Sequence, residues 1–393
     1  MIRRQLKLLK RMDWSILAAT VLLLGIGVAF IYSAGQSQSA AYRQLYLKQL
    51  LWAGLGFVCF LWFACLDYNY WYRRAWWIYL LGLALLLLVF VPGVGAKISG
   101  ARRWIQIAGV RLLQPAELAK LALIMALARL FGAPGRNPCR RRVVAVGLIL
   151  TLAMFLLIAA QPDMGTALVL LPVLGAIMFA AGVPARMLWR LVGMGAAALA
   201  VVLALLLMPP VLGWDEARHD ALLERFGISA YQKNRIMVFL QRDADPLDTG
   251  WNKAQSQIAV GSGRLWGKGF RQGTQNILGF LPRTVAPNDF IFSVIAEETG
   301  FVGSLTVIGL MAVLIGGGLR AALVASDRVG RLLCVGITAL LFTHTFVNIA
   351  MTIGMLPITG LPLPLLSYGG TFMLMAMSGL GIIQSVYIRG ERN

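Results

Sequence analysis

Apolar positions along this chain gather in long, nearly unbroken runs rather than in the spaced stripes of surface helices. Ten such runs, bounded by charged residues or helix breakers, fall at about 13–34, 46–66, 74–92, 114–131, 143–161, 164–182, 187–209, 289–318, 329–354 and 365–388. A helix rises 1.5 Å per residue, so ~20 apolar residues cross a hydrocarbon core of about 30 Å. The pattern therefore predicts an all-α membrane protein, a polytopic bundle of about ten transmembrane helices. One extended polar region, 210–288, interrupts the series. Its Gly-rich stretches, Gly261 to Gly269 and Gly273 to Gly279, suit a lid or a substrate groove, or a surface segment resting on lipid headgroups.

Charge gives the series a direction. Lys and Arg near span ends stay on the cytoplasmic side. With the N-terminus inside, the inner segments hold nineteen of them, among them Arg3, Arg4, Arg73, Arg74, Arg140, Arg141, Arg142, Arg328 and Arg331, and the short outer ones hold six. Both termini are thus expected in the cytoplasm and region 210–288 outside. The expected organisation is a basic N-terminus 1–12, seven helices over 13–209, the large extracytoplasmic loop 210–288, three helices over 289–388, and a cytoplasmic tail 389–393, in a bacterial cytoplasmic membrane.

Composition agrees: 59% of the 393 residues are hydrophobic and 13% charged, well away from the balance of a soluble domain. The net charge of +20 would suggest nucleic acid in a soluble protein, but its distribution over inner loops removes that reading. The first run is too long for the core of a signal peptide and is read as a retained span. Cys59, Cys65, Cys139 and Cys334 show no disulfide spacing, and His219 and His344 are too far apart to argue a metal site. Structural histidine is the reading for both.

Ionisable residues inside or at the edge of spans are costly, so each is a candidate for chemistry. Gln114-Pro115-Ala116-Glu117-Leu118-Ala119-Lys120 starts a helix and puts Glu117 and Lys120 on one face, as a buried ion pair or an active-site pair. Asp163, in the turn Gln161-Pro162-Asp163-Met164-Gly165-Thr166, has the position of an N-cap and gains weight from the company of Glu117 and Lys120 at the same outer surface. Asp289 follows Pro287-Asn288 where the long outer loop ends; it too could cap a helix, but desolvation at the membrane boundary would move its carboxyl toward general-base work. Glu297 and Glu298 lie about two turns deeper and imply an interior polar cavity. Arg102, Arg103, Lys268 and Arg271, with Lys233 and Arg235, could hold a diphosphate, though attraction to headgroups uses the same groups. The breaker-rich stretch Leu356 to Gly370 places non-helical backbone, with Ser367 and Tyr368, where it must be buried by protein or line a cavity.

Taken in order, Ala101-Arg102-Arg103-Trp104, Gln114 to Lys120, Gln161 to Thr166, Gln255 to Gly263 with Gly267-Lys268-Gly269, Asn288 to Phe292 with Ala296-Glu297-Glu298, and Gly360 to Gly370 resemble the SEDS family of shape, elongation, division and sporulation proteins, most closely its RodA branch. The resemblance runs from the first span to the last. It implies polymerisation of lipid II into peptidoglycan by a hexosyltransferase using an undecaprenyl-diphosphate-linked donor. Asp289 would be the essential aspartate, with Glu117, Lys120 and Asp163 as polar neighbours, and Arg102, Arg103, Lys268, Arg271, Ser367 and Tyr368 as substrate-binding candidates. It also implies a partner, a class B penicillin-binding protein that cross-links the strand. Two positions depart from the family's pattern: Pro287-Asn288 stands where His-Thr is usual, and Ala116 stands where Ser is common.

The expected chemistry is inverting displacement of the lipid diphosphate, with Asp289 as general base and the developing charge met by Arg and Lys or by a divalent cation, Mg or Mn, that Asp289 or Asp163 could ligate. No ligand cluster in the sequence demands such an ion. The rival readings are a flippase for lipid-linked precursors, a division paralogue of the FtsW kind, and a scaffold without activity.

Overall fold

A computed structural model describes residues 10–35, 44–98, 101–107, 110–211, 219, 222–223, 230–240, 249–281 and 285–390. Most of the basic N-terminus 1–12, the last residues of the tail 389–393, and parts of region 210–288 lie outside the described residues. Helices occupy each of the ten apolar runs: α1 (Trp14–Gly35), α2 (Leu45–Cys65), α3 (Tyr68–Leu88), α4 (Pro115–Gly132), α5 (Arg141–Ala159), α6 (Met164–Ala180), α7 (Ala185–Val211), α11 (Ile291–Leu323), α12 (Arg328–Thr352) and α13 (Gly370–Gly390). The polar region holds α8 (Ala230–Leu240), α9 (Thr249–Ser262) and the single turn α10 (Thr274–Ile277).

Seven of these helices, α1, α2, α5, α7 and α11 to α13, are long and apolar enough to cross a membrane. The other three fall short for local reasons. Arg73 and Arg74 sit inside α3, Glu117, Lys120 and Arg129 sit inside α4, and α6 has only 17 residues. Burial inverts this ranking: α4 and α13 are enclosed along almost their whole length, whereas α7 is nearly all exposed. The polar groups of α4 are thus carried by a central helix, where neighbouring helices rather than lipid must satisfy them. Around it, α3 and α12 pack directly on α4, α13 packs on α2, and α11 packs on α12 and α1.

Two features depart from the expected all-helical plan. Between α3 and α4 lies a small antiparallel sheet, β1 (Gly95–Ile98), β2 (Ala101–Ile107) and β3 (Val110–Leu113), in the order β1-β2-β3. Alternation along β2 sends Arg102 to solvent and leaves Arg103 partly buried. The second is the treatment of Glu297 and Glu298, which need no interior cavity. The segment Gly263 to Gly273 lies against α11 and takes both carboxylates. Glu297 Oε1 accepts from Lys268 Nζ at 2.6 Å and from the Gln275 amide at 3.0 Å. Glu298 accepts from Ser33 Oγ at 2.6 Å and from the Arg271 amide at 2.9 Å. The amides of Lys268 and Gly269 donate in turn to the Glu297 and Glu298 carbonyls, next to Gly300, where α11 leaves helical geometry. The four cysteines are free.

Close docking of this segment depends on Gly267, which has φ +79° and whose missing Cβ would stand 2.2 Å from the Glu298 carbonyl oxygen. Gly267→Ala is expected to lower stability by at least about 1–3 kcal/mol from backbone strain alone. Gly261→Ala, at a position where an added Cβ meets nothing within 4 Å, is the control. Thermal unfolding of the two variants in detergent checks this, and equal midpoints would mean that the segment does not dock on α11.

Candidate active site

The chain approaching α11 makes a non-helical turn over residues 285–290, with the Asp289 amide donating to the Val285 carbonyl at 2.9 Å. Pro287 brings no amide hydrogen and holds the helix off until Ile291. Carbonyls of three consecutive residues then find donors elsewhere in the fold. That of Pro287 accepts from the Tyr368 amide at 2.9 Å, that of Asn288 from Ser367 Oγ at 2.5 Å, and that of Asp289 from Asn348 Nδ2 at 2.9 Å. Ser367 also takes the Leu363 amide at 2.8 Å, and its carbonyl accepts from Gln49 at 3.1 Å. The breaker-rich stretch after α12 therefore serves as a frame in which the Asp289 turn is seated.

Asp289 is partly buried and precedes the span Ile291–Leu323. Its carboxyl is pushed up from the ordinary aspartate value to about 6, chiefly because burial disfavours the charge. The Arg235 guanidinium opposes that shift, the Asp163 carboxylate adds to it, and Arg103 opposes it more weakly. Gly360, at φ +75°, lets these groups converge: a Cβ there would lie 3.4 Å from both Asp289 Oδ2 and Arg235 Nη1.

Asp163 is indeed an N-cap, accepting from the Thr166 amide at 3.4 Å. It also takes Gln114 Nε2 at 3.3 Å and stands 3.9 Å from Arg103 Nη1. Arg103 reaches across from β2 to donate to the carbonyls of Gln161 and Pro162 as well. Glu117 and Lys120 form a buried ion pair at 2.8 Å, within electrostatic range of Asp163. The pair is one part of a longer chain. Lys120 Nζ is 2.9 Å from His344 Nε2, and His344 Nδ1 is 3.3 Å from the Pro362 carbonyl. An ammonium can only donate, so Nε2 accepts and the proton sits on Nδ1, where it bonds Pro362.

Of the candidates read from sequence, Asp289, Asp163, Glu117, Lys120 and Arg103 gather on one side of the bundle around Gly360 and Pro362. Ser367 and Tyr368 hold the backbone beside Asp289. Arg102 faces away on β2, and Lys268 and Arg271 belong to the Glu297–Glu298 group, the Arg271 guanidinium lying 5.4 Å from the Tyr32 ring centroid. Arg235, one of the basic groups read from sequence as able to hold a diphosphate, also joins the site, and His344, read as structural, joins it without a signal of its own. Asn348 does carry one: with His344 it places two polar groups four residues apart, on one face of an otherwise apolar helix.

Beside these charges opens a cavity of about 140 Å³. Arg103, Asp163 and Arg235 form its polar end, while Leu168, Val202, Ile236 and Ile358 form apolar wall. A cationic end joined to an apolar channel suits an amphiphile with an anionic head.

The family model of cell cycle proteins that joins FtsW, RodA and SpoVE matches residues 13–391. The peptidoglycan glycosyltransferase MrdB of Escherichia coli (strain K12) is 40% identical over 317 residues, covering 80% of this chain and 78% of that protein. The peptidoglycan glycosyltransferase RodA of Treponema pallidum is 32% identical, covering 96% and 98%. Among solved structures, one described under the structural coordination of polymerization and crosslinking by a peptidoglycan synthase complex matches with a TM-score of 0.75 at 30% identity, covering 97% of this chain and 99% of that one. The rod shape determining protein RodA of Thermus thermophilus matches with a TM-score of 0.68 at 28% identity, covering 97% and 98%. With its framed aspartate, its buried ion pair and a family match spanning nearly its full length, this chain belongs to the FtsW/RodA/SpoVE family of SEDS proteins.

Proposed function

We propose that this chain is a peptidoglycan glycosyltransferase that polymerises lipid II at the outer face of the bacterial cytoplasmic membrane during cell elongation. Its relatives carry that activity in their names. In this reading all ten apolar helices cross the membrane and both termini are cytoplasmic. The three that are too short or too charged by themselves, α3, α4 and α6, cross inside the bundle. The observation that carries the catalytic reading is Asp289, a carboxylate held through its own backbone and acted on by two guanidinium groups, Arg235 and Arg103, that line the neighbouring cavity.

The 4-hydroxyl of the acceptor sugar gives its proton to Asp289 as its oxygen attacks the anomeric carbon of the lipid-linked donor. The bond to the diphosphate breaks, and the α-linked donor becomes a β-linked product. Arg103 and Arg235 receive the diphosphate charge at the polar end of the cavity, with the prenyl chain along the apolar wall. Among the described residues no three His, Cys, Asp or Glu side chains gather as a metal site. A Mg or Mn ion, if the reaction uses one, would be held by Asp289 or Asp163 and would supply positive charge to the departing diphosphate. A class B penicillin-binding protein is the expected partner, consistent with the synthase complex among the structural matches.

Asp289→Asn keeps the shape of the side chain and removes the base, so polymer formation from labelled lipid II in liposomes is expected to fall on the order of 10²–10⁴-fold with unchanged folding. A folded variant at near wild-type rate would overturn the assignment. The base works only when ionised. Because the Asp289 carboxyl titrates at about 6, kcat/KM should be flat near neutrality and fall about tenfold per pH unit as the pH drops below that value. A profile still flat at pH 5 would assign the proton to another group.

A further inference from the structure

We propose that Asn348 is the positioning residue of this site, a clamp that holds the Asp289 turn and the Gly360–Pro364 segment in one register. The inference rests on reading Asp289 as the base. Asn348 lies on α12 with no exposure to solvent. Its amide nitrogen donates two hydrogen bonds, one to the Asp289 carbonyl at 2.9 Å and one to the Leu361 carbonyl at 2.7 Å. These carbonyls belong to segments about seventy residues apart in sequence, and Gly360, next to Leu361, is where the Asp289 carboxylate and the Arg235 guanidinium come together. One planar group therefore sets the spacing of the carboxylate against both its cation and the loop behind it.

Two further observations set Asn348 apart from an ordinary packing residue. Its Oδ1 is buried and meets no hydrogen-bond partner among the described residues. An orphan acceptor in a core works against stability, so the amide is suited to what its donors hold. One turn earlier on the same face, His344 bonds the Pro362 carbonyl. Consecutive carbonyls of the loop are thus fixed from a single helix face, Pro362 through the chain from Glu117 and Lys120, and Leu361 through Asn348. Of the two, only the Asn348 bond continues to Asp289.

The test compares Asn348→Leu with wild type in lipid II polymerisation, measuring kcat, KM, the pH profile and the unfolding midpoint. Leucine has a similar volume and removes both donors together with Oδ1, so the Asp289 and Leu361 carbonyls lose the group that ties them together. A displaced carboxylate is expected to lower kcat on the order of 10- to 100-fold with KM little changed, and to move the acid limb of the pH profile; the two carbonyls without a donor lower the unfolding midpoint, and the fall in kcat persists at assay temperatures well below it. Wild-type kcat with an unmoved acid limb would overturn the inference. So would an activity loss that merely follows a lowered unfolding midpoint and disappears on cooling the assay. Should Asn348→Leu fail to fold, Asn348→Ser, whose hydroxyl can bond one carbonyl but not both, takes its place and is expected to show a smaller fall in kcat with the same shift of the acid limb; a Ser variant indistinguishable from wild type would equally refute the clamp. Asp289→Asn separates the two levels: if it is inactive while Asn348→Leu is fully active, only the clamp fails, and if it is active, the reading of the base fails first.

Discussion

A lipid bilayer supplies no water to an unpaired peptide group, and the structure around Asp289 depends on that constraint. Asp289 stands on backbone that has not yet entered α11, and non-helical backbone at the membrane edge must find its hydrogen bonds inside the protein. Here the carbonyls of Pro287, Asn288 and Asp289 find them in Tyr368, Ser367 and Asn348. The loop after α12, itself non-helical, is satisfied by the same exchange, since Ser367 takes the Leu363 amide and Gln49 holds its far end. Two irregular segments complete each other, so neither can move far without exposing polar backbone in the other.

The same rule governs the charges. Glu117 and Lys120 would each be prohibitive alone in the centre of the bundle; together, and with His344 accepting from the ammonium, they form a chain that ends on the Pro362 carbonyl. The ion pair therefore reaches the loop that frames Asp289. Glu297 and Glu298 are satisfied by a different device, a glycine-lined segment pressed so close to α11 that its amides reach their carboxylates. One pair of acids ties the helices to the site; the other ties the polar region to the bundle.

The helices were legible because membrane insertion writes itself into the sequence as long apolar runs, and each of the ten runs coincides with a helix. The sheet between α3 and α4 was harder to see, since its strands are short, although the alternation at Arg102 and Arg103 followed by Gly109 is a hairpin pattern. Asp163 shows why a local reading can be right and incomplete: it caps α6, and its remaining lone pairs face Gln114 and Arg103. For Glu297 and Glu298 the expectation of a cavity followed from their burial alone. What satisfies them is Lys268, Ser33 and two main-chain amides, and the amides, which every residue carries, no sequence pattern announces. His344 was read as structural, and its bond to Pro362 is structural, yet its other nitrogen meets Lys120. Arg235 was one of six basic groups that could hold a diphosphate, and only the placement of α8 separates it from those that lie elsewhere, such as Arg102.

The roles of the acids follow from who satisfies them. Glu117 is committed to Lys120, Asp163 to Gln114, Arg103 and its own helix cap, Glu297 to Lys268, and Glu298 to Ser33 and a backbone amide. The oxygens of these carboxylates already face partners within the protein, so a substrate hydroxyl would have to displace one of them to reach the acid. At Asp289 the hydrogen bonds go to the main-chain carbonyl, so the residue is fixed without its carboxylate being the group that is gripped there. Burial then outweighs two nearby guanidinium groups and raises its proton affinity toward neutrality. Those arginines line the cavity, where a diphosphate would meet them. Position is assigned to the backbone and proton affinity to the side chain, and that division lets one residue be both rigid and basic at a membrane surface.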